Sequence, residues 1–429
     1  MTQDAKTRDA IEIEIEDLFG DAQAIHACPF HHYDAVREQP GLVYSPTMEA
    51  YLVTRLADAR EVLSDASRFS NKVPFGRVAM RKEREATKEL MAKDQDISDL
   101  VARLKPRRAP MLASADPPIH LRQRRLLQNL FSPKYTRSYE DYVTALADSF
   151  IDRFPDGEVE FVAALSVPLP VEVIATLMGV EPARGEDFKR WSNSFFFATG
   201  SKVDESKIAT AIREQVELFD YFTAQIADRR ANPRDDLVTK VIEARQAGDE
   251  PFTDDEVVAV LSQMLVAGNE TTTGLLSSCL LHLARRPELI DRLHAEPERI
   301  ADFCEEVLRL ECPAKANTRT VLVDTTVGGF PVEAGSQIMV LHVAANRDPA
   351  AFKSEVDLEA RNKARHVGFG NGEHFCLGAE LARMEARVVV GAMVRRFRRL
   401  SLKPGHEPEY IPLNTTRALD NLYLCLEPR

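Results

Sequence analysis

Cysteine is scarce and scattered. The 429 residues include 6 cysteines, at positions 28, 279, 304, 312, 376 and 425, with no CxxC pair. That spacing excludes a disulfide framework and fits reduced thiols. Only 19 glycines and 24 prolines are present, which excludes collagen and low-complexity classes. Basic excess is also missing: 55 Lys+Arg against 67 Asp+Glu leave a formal charge of −12. A general nucleic-acid binder would show the opposite sign. No apolar run reaches the ~18 residues of a membrane span. The nearest, Leu261 to Ala284, is broken at its centre by Asn269 and Glu270. The first residues carry acids where a secretory signal needs basic and then apolar residues, so a cytoplasmic protein is expected. What remains, 44% hydrophobic and 28% charged, is the profile of a soluble globular chain. It is long enough to bury one large core and still enclose a pocket.

Helical periodicity dominates the reading along the chain. Short helices are expected at 31–38 and 56–65, flanking a strand pair within 42–55. Asp116-Pro117-Pro118 reads as a helix start with Asp as its cap, and Ser132-Pro133 as its stop. Further helices are expected at 134–154, 168–179, 184–199, 204–231 and 236–247. Thr253, followed by Asp254, Asp255 and Glu256, opens a long helix that reaches Arg286. Shorter helices follow at 287–295 and 299–310. A small sheet is expected in 311–345, a long irregular loop in 346–375, a strong helix at 377–396 and short strands from 399 onward. The pattern predicts one domain over residues 1–429, mainly α with a small β-rich region, and a flexible start of ~20 residues.

The segment Phe369-Gly370-Asn371-Gly372-Glu373-His374-Phe375-Cys376-Leu377-Gly378 places a cysteine after a glycine-rich turn, at the mouth of a helix. Free N–H groups and the positive dipole end there favour a thiolate. Gly378 lets a flat group approach the helix closely. This is the environment of an iron–thiolate bond. Zinc is a poor rival, because His374 and Cys376 supply only two ligands. A second site lies within the long helix, at Ala267-Gly268-Asn269-Glu270-Thr271-Thr272. A carboxylate and hydroxyls between the apolar flanks Leu261, Met264, Leu265, Val266, Leu275 and Leu276 are costly unless paired or useful. Ala267 and Gly268 are small enough for a planar cofactor to lie against them. The Thr271 hydroxyl is placed to bond back to the Ala267 carbonyl or to turn toward a ligand. Glu306 and Arg309 share a helix face, although Glu296/Arg299 and Glu380/Arg383 match the same spacing. His120, Arg122, Arg124 and Arg125 form a basic cluster, in which 120 and 124 share a face. His26, Cys28, His31 and His32 are read as surface before metal site, and Phe195-Phe196-Phe197 as core or pocket roof.

These segments together resemble the cytochrome P450 superfamily in its soluble bacterial form, over roughly Ile25 to Leu426. The cysteine loop matches F-G-x-G-x-H-x-C-x-G, the long helix matches A/G-G-x-D/E-T-T, and Asp116 to Arg125 matches D-P-P-x-H-x-R-x-R-R. The resemblance implies a P450-like, all-helical haem domain holding haem b, with Cys376 as axial iron ligand. His120, Arg124, Arg319 and His374 would bind the propionates, while Phe369, Gly378, Ala267 and Gly268 would border the ring. Thr271 would hydrogen-bond dioxygen as it is activated, and Glu270 would gate protons. Glu306 and Arg309 would lock the loop that presents Cys376. The implied function is a monooxygenase inserting one oxygen atom into a C–H bond of a small hydrophobic molecule of terpenoid, steroid or aromatic type. Ala314, Ala316 and Asn317 would lie near its pocket. No flavin, nicotinamide or iron–sulfur fingerprint is present, so electrons would come from a ferredoxin and its reductase. Arg122, Arg125 and Arg383 would form the docking face. The alternatives are a peroxide-driven peroxygenase and a haem-binding sensor without turnover. Residues Met80 to Arg108 depart from the family pattern by being long and heavily charged.

Overall fold

The computed structural model describes residues 18–20, 22–105, 108–195, 205–245, 247–359 and 365–429. Its axis is the long helix Asp254–Arg285. The Thr253 hydroxyl accepts the Glu256 N–H while the Glu256 carboxylate accepts the Thr253 N–H, a complete capping box. Leu261, Leu265, Leu275, Leu276 and Leu280 are buried. Against this helix pack Pro168–Met178, Gly185–Ser194, Glu205–Ala231, Ile300–Glu311 and Ala379–Arg396. The long helix is therefore apolar on nearly every side, as expected for the centre of a helical assembly.

The strands, in chain order, are β1 (Val43–Ser45), β2 (Ala50–Val53), β3 (Phe69–Ser70), β4 (Glu158–Glu160), β5 (Ala316–Val321), β6 (Thr325–Val327), β7 (Phe330–Val332), β8 (Gln337–Leu341), β9 (Phe397–Leu402) and β10 (Tyr423–Pro428). The main sheet has the order β1-β2-β8-β5-β3, in which β2 and β8 run parallel with Leu52 opposite Met339. The two regions expected as separate sheets are thus one. β4, which the sequence pattern hides, joins β10 and β9 in a three-stranded sheet.

Several expectations change in detail. The helix expected at 134–154 is two, Pro133–Arg137 and Glu140–Ile151. Between them the Ser138 hydroxyl donates to the Tyr135 carbonyl at 2.6 Å, competing with helix continuation. Asp116 does not cap the following helix, which is Ile119–Leu127. Its carboxylate instead accepts the Ser70 hydroxyl at 2.6 Å and the Asn71 N–H at 2.8 Å. Leu18 and Phe19, expected to be flexible, are buried against Tyr33 and Met48. Residues 1–17, and with them most of the start expected to be flexible, lie outside the described residues, as do Phe196 and Phe197. The charged stretch from Met80 forms two helices, Arg77–Lys93 and Gln95–Leu104, the second capped by Asp94. Ile97, Val101 and Leu104 bury beside the helix Glu205–Ala231. Lys93–Glu205 at 3.2 Å and Arg103–Asp220 at 2.8 Å tie the two helices to it at the surface.

Candidate active site

The cysteine loop is shaped by two left-handed glycines, Gly370 at φ 76° and Gly372 at φ 71°. At Gly372 a Cβ would meet the Leu63 carbonyl at 2.7 Å, so only glycine fits. The Cys376 N–H donates to the Phe369 carbonyl at 2.8 Å, and the rings of Phe369 and Phe375 meet edge to face at 6.2 Å. Cys376 lies just before the helix Ala379–Arg396, as the sequence predicts. Its thiol is solvent-accessible on one side yet packed by protein on the others. That packing raises its pKa, while the Gly378 N–H, Arg124 and Arg383 pull it back toward the thiolate. The loop is held from behind. Arg309 and Glu306 form a buried bidentate pair at 2.8 and 3.2 Å. Arg309 also donates to the Asn346 and Glu355 carbonyls, and Glu306 accepts the Asp357 N–H at 3.0 Å. Unlike Glu296/Arg299 and Glu380/Arg383, which have the same spacing, this pair is buried.

His120 and His374 come together from different elements, with ring centroids 3.9 Å apart. Asn71, which no motif in the sequence marks, meets His374 Nδ1 at 3.2 Å. Both nitrogens of His120, and His374 Nε2, are buried without a hydrogen-bond partner. Burial, reinforced by Arg124, lowers the His120 pKa to about 4, so the ring is neutral at pH 7. Arg319 is buried, donates to the Thr318 carbonyl at 3.1 Å, and is pushed down to about 10 by that burial. Arg124 donates to the Phe375 carbonyl at 2.6 Å and is likewise lowered by burial. Two arginines and three unpartnered imidazole nitrogens on one wall call for an anionic edge. Above the opposite surfaces, a Cβ at Gly268 or at Gly378 would touch nothing within 4 Å, so both glycines leave room for a flat group. The residues therefore fit a haem with two propionates.

On the long helix, Ala267 is exposed and Gly268 and Thr271 are half-buried, so this face is not fully packed by protein. The Thr271 hydroxyl donates to the Ala267 carbonyl at 2.8 Å, the back-bond expected from the spacing. Glu270 is buried and ion-paired with Lys189 of the helix Gly185–Ser194. Lys189 was not singled out by the sequence, where it reads as an ordinary charge on an amphipathic helix. Arg122, Arg125 and Arg383, expected to form a docking face for an acidic partner, are each already engaged by a carboxylate of this chain. Arg122 pairs with Glu256, Arg125 takes Asp249 at 2.5 and 2.7 Å, and Arg383 takes Glu305 at 2.7 Å. Carboxylates lie within reach in three dimensions that are remote in sequence. His26, Cys28, His31 and His32 do not assemble into a metal site. His26 meets the Gly20 carbonyl at 3.0 Å, and among the described residues no cluster of three or more His, Cys, Asp or Glu is placed to hold a metal ion. No described helix is long and apolar enough to cross a membrane.

Comparison with known proteins agrees with this geometry. The cytochrome P450 family model matches residues 187–421. Cytochrome P450 107B1 of Saccharopolyspora erythraea is 31% identical over 90% of this chain and 91% of its own. Steroid C26-monooxygenase of Mycobacterium tuberculosis is 35% identical over 68% of this chain and 79% of its own. Among solved structures, P450BioI in complex with an acyl carrier protein ligated to hexadec-9Z-enoic acid aligns with a TM-score of 0.82 at 26% identity, covering 94% of this chain and 99% of that one. CYP109E1 of Bacillus megaterium in complex with testosterone aligns at 0.79 and 26% identity, covering 94% and 99%. With its fold, its cysteine loop and its anion-seeking wall all of one kind, the chain belongs to the cytochrome P450 family of haem-thiolate monooxygenases.

Proposed function

We propose that this single-domain, cytoplasmic protein inserts one atom of dioxygen into a C–H bond of a small, largely apolar molecule, drawing electrons from a ferredoxin and its reductase. The observation that carries this reading is the pairing of two half-sites. Cys376 lies at the mouth of one helix, and an acid–alcohol pair with its own lysine partner lies on the other. When bound, a thiolate-ligated haem supplies O–O cleavage and oxygen-atom transfer. Cys376 would hold its iron. His120, Arg124, Arg319 and His374 would neutralise its propionates, and Ala267, Gly268, Phe369 and Gly378 would border the ring.

The protein's own residues would then manage protons. Glu270 is buried at its carboxylate but bonded to Lys189, whose side chain is 24% exposed. A proton entering at Lys189 would pass to Glu270 and then to the Thr271 hydroxyl, which donates its hydrogen bond to the Ala267 carbonyl and would turn from it to hand a proton on. A peroxygenase or a sensor has no use for such a relay. The test is reconstituted turnover. With ferredoxin, reductase and a ligand that shifts the ferric Soret band, product should form in proportion to reduced nicotinamide consumed. Product formed only with added hydrogen peroxide would establish the peroxygenase, and ligand binding without any product the sensor.

A further inference from the structure

Asn71 directly follows β3 and is 5% exposed. Three contacts hold it. Its backbone N–H donates to Asp116 Oδ1 at 2.8 Å. Its side-chain nitrogen Nδ2 meets the Ala113 carbonyl at 2.5 Å and His374 Nδ1 at 3.2 Å. Ala113 is tied in turn to the long helix, because its N–H donates to Gln263 Oε1 at 3.3 Å. The amide that touches the cysteine loop is thus fixed by segments remote from that loop in sequence.

Which end of the amide faces the imidazole decides where the imidazole carries its proton. Exchanging Oδ1 and Nδ2 would set two acceptors, Oδ1 and the Ala113 carbonyl, against each other at 2.5 Å. The carbonyl therefore requires the NH2 group, and the same group faces His374. An NH2 group has two hydrogens, one for each contact, and accepts nothing. His374 Nδ1 must then be the acceptor, and a ring whose Nδ1 accepts carries its single proton on Nε2. Nε2 is the nitrogen left buried without a partner, in a ring whose centroid lies 3.9 Å from that of His120. The same orientation leaves Asn71 Oδ1 buried without a partner. Leucine would fill a similar volume with no unmet acceptor, so the amide is explained by what its two hydrogens do.

We infer that Asn71 is a positioning residue for the cofactor: it fixes His374 as the Nε2–H tautomer, so that this wall offers a donor, not a lone pair, to the anionic edge of the haem. The inference rests on the reading that His374 meets that edge. An N–H forms a charge-assisted bond to a carboxylate, whereas a lone pair turned toward it repels. His120 is the contrast. Among the described residues neither of its nitrogens has a hydrogen-bond partner, so no contact of this kind sets its tautomer.

Nitrogen NMR of the histidine-labelled, carbon-monoxide-bound ferrous protein reads the tautomer directly, with the His374 signals identified by their absence from His374→Gln. At neutral pH, Nδ1 should give the signal of a bare ring nitrogen and Nε2 that of an N–H. Asn71→Asp, which puts an acceptor where the NH2 group stands, should bring a proton to Nδ1. Asn71→Leu should speed haem transfer to apomyoglobin roughly two- to ten-fold, the worth of one hydrogen bond. A proton on Nδ1 in the wild type overturns the inference, as does a bare Nδ1 in Asn71→Asp or an unchanged rate of haem loss in Asn71→Leu. A purely structural Asn71 would leave the nitrogen signals of Asn71→Asp like those of the wild type. Haem loss from His374→Phe tests the underlying reading separately. A rate equal to the wild type there would overturn the contact with the haem edge, whereas a wrong tautomer overturns the inference alone.

Discussion

Thr271 is a residue with two tasks for one hydroxyl, a helix back-bond and a proton path. Thr271→Ala should leave the helix intact, because removing a back-bonded hydroxyl does not break the backbone ladder. The variant should go on consuming reduced nicotinamide but release hydrogen peroxide in place of product. The measured ratio of product to reductant decides this, and coupling equal to the wild type would remove Thr271 from the proposed relay. Glu270→Gln should instead slow overall turnover, since an amide relays no proton. Glu385 presents a different residue-scale problem. It is buried in the helix Ala379–Arg396, its Oε2 has no partner, and burial alone raises its pKa from 4.5 to about 8. Between those values the folded protein holds a proton that the unfolded chain gives up. Stability should therefore fall as pH rises through that window and level off above it. Glu385→Gln should remove the slope and be more stable than wild type by ~1–3 kcal/mol at about pH 8, with little difference at about pH 5. Denaturant midpoints at the two pH values check it.

Among the elements, the long helix carries a contrast between two glycines. At Gly268 a Cβ meets nothing within 4 Å, whereas at Gly274 it meets the Arg417 carbonyl at 2.8 Å. Gly268→Ala should raise the stability of the haem-free chain by up to ~1 kcal/mol through helix propensity, while lowering haem retention. Gly274→Ala should destabilise the protein by ~1–3 kcal/mol, because backbone must move to admit the methyl group. Denaturant unfolding and the ratio of haem to protein absorbance separate the two effects. The long helix was legible because the capping pair Thr253 and Glu256 and the apolar residues that follow them point the same way. The cysteine loop was legible because its glycines are dictated by backbone geometry. The helix Arg77–Lys93 was not, since charge dominates its sequence, only Val78 among its residues is buried, and Ala86, Leu90 and Met91 are only partly buried against the core. β4 is three residues long and its partner strand begins at Tyr423, so nothing local announces it. Asn71 and Lys189 are missed for the same reason: their roles come from His374 and Glu270, far along the chain.

For the whole molecule, a net charge of −12 makes an acidic electron donor an awkward partner unless positive charge is gathered locally. Arg122, Arg125 and Arg383 are held by the protein's own carboxylates. Arg125, with a side chain 45% exposed, is the one best placed to exchange Asp249 for a partner's acid. Rising ionic strength should weaken ferredoxin association, and Arg125→Glu should slow reduction without changing ligand affinity. Stopped-flow reduction at several salt concentrations checks both, and salt-independent rates would point to an apolar interface. The central claim, that one thiol and a polar wall hold a haem in a P450 fold, has a more direct test. The dithionite-reduced, carbon-monoxide-bound protein should show the red-shifted Soret band peculiar to a thiolate-ligated haem. Cys376→Ser should abolish that band, while serine at Cys28, Cys279, Cys304, Cys312 or Cys425 should preserve it. A band that survives in Cys376→Ser would contradict the account.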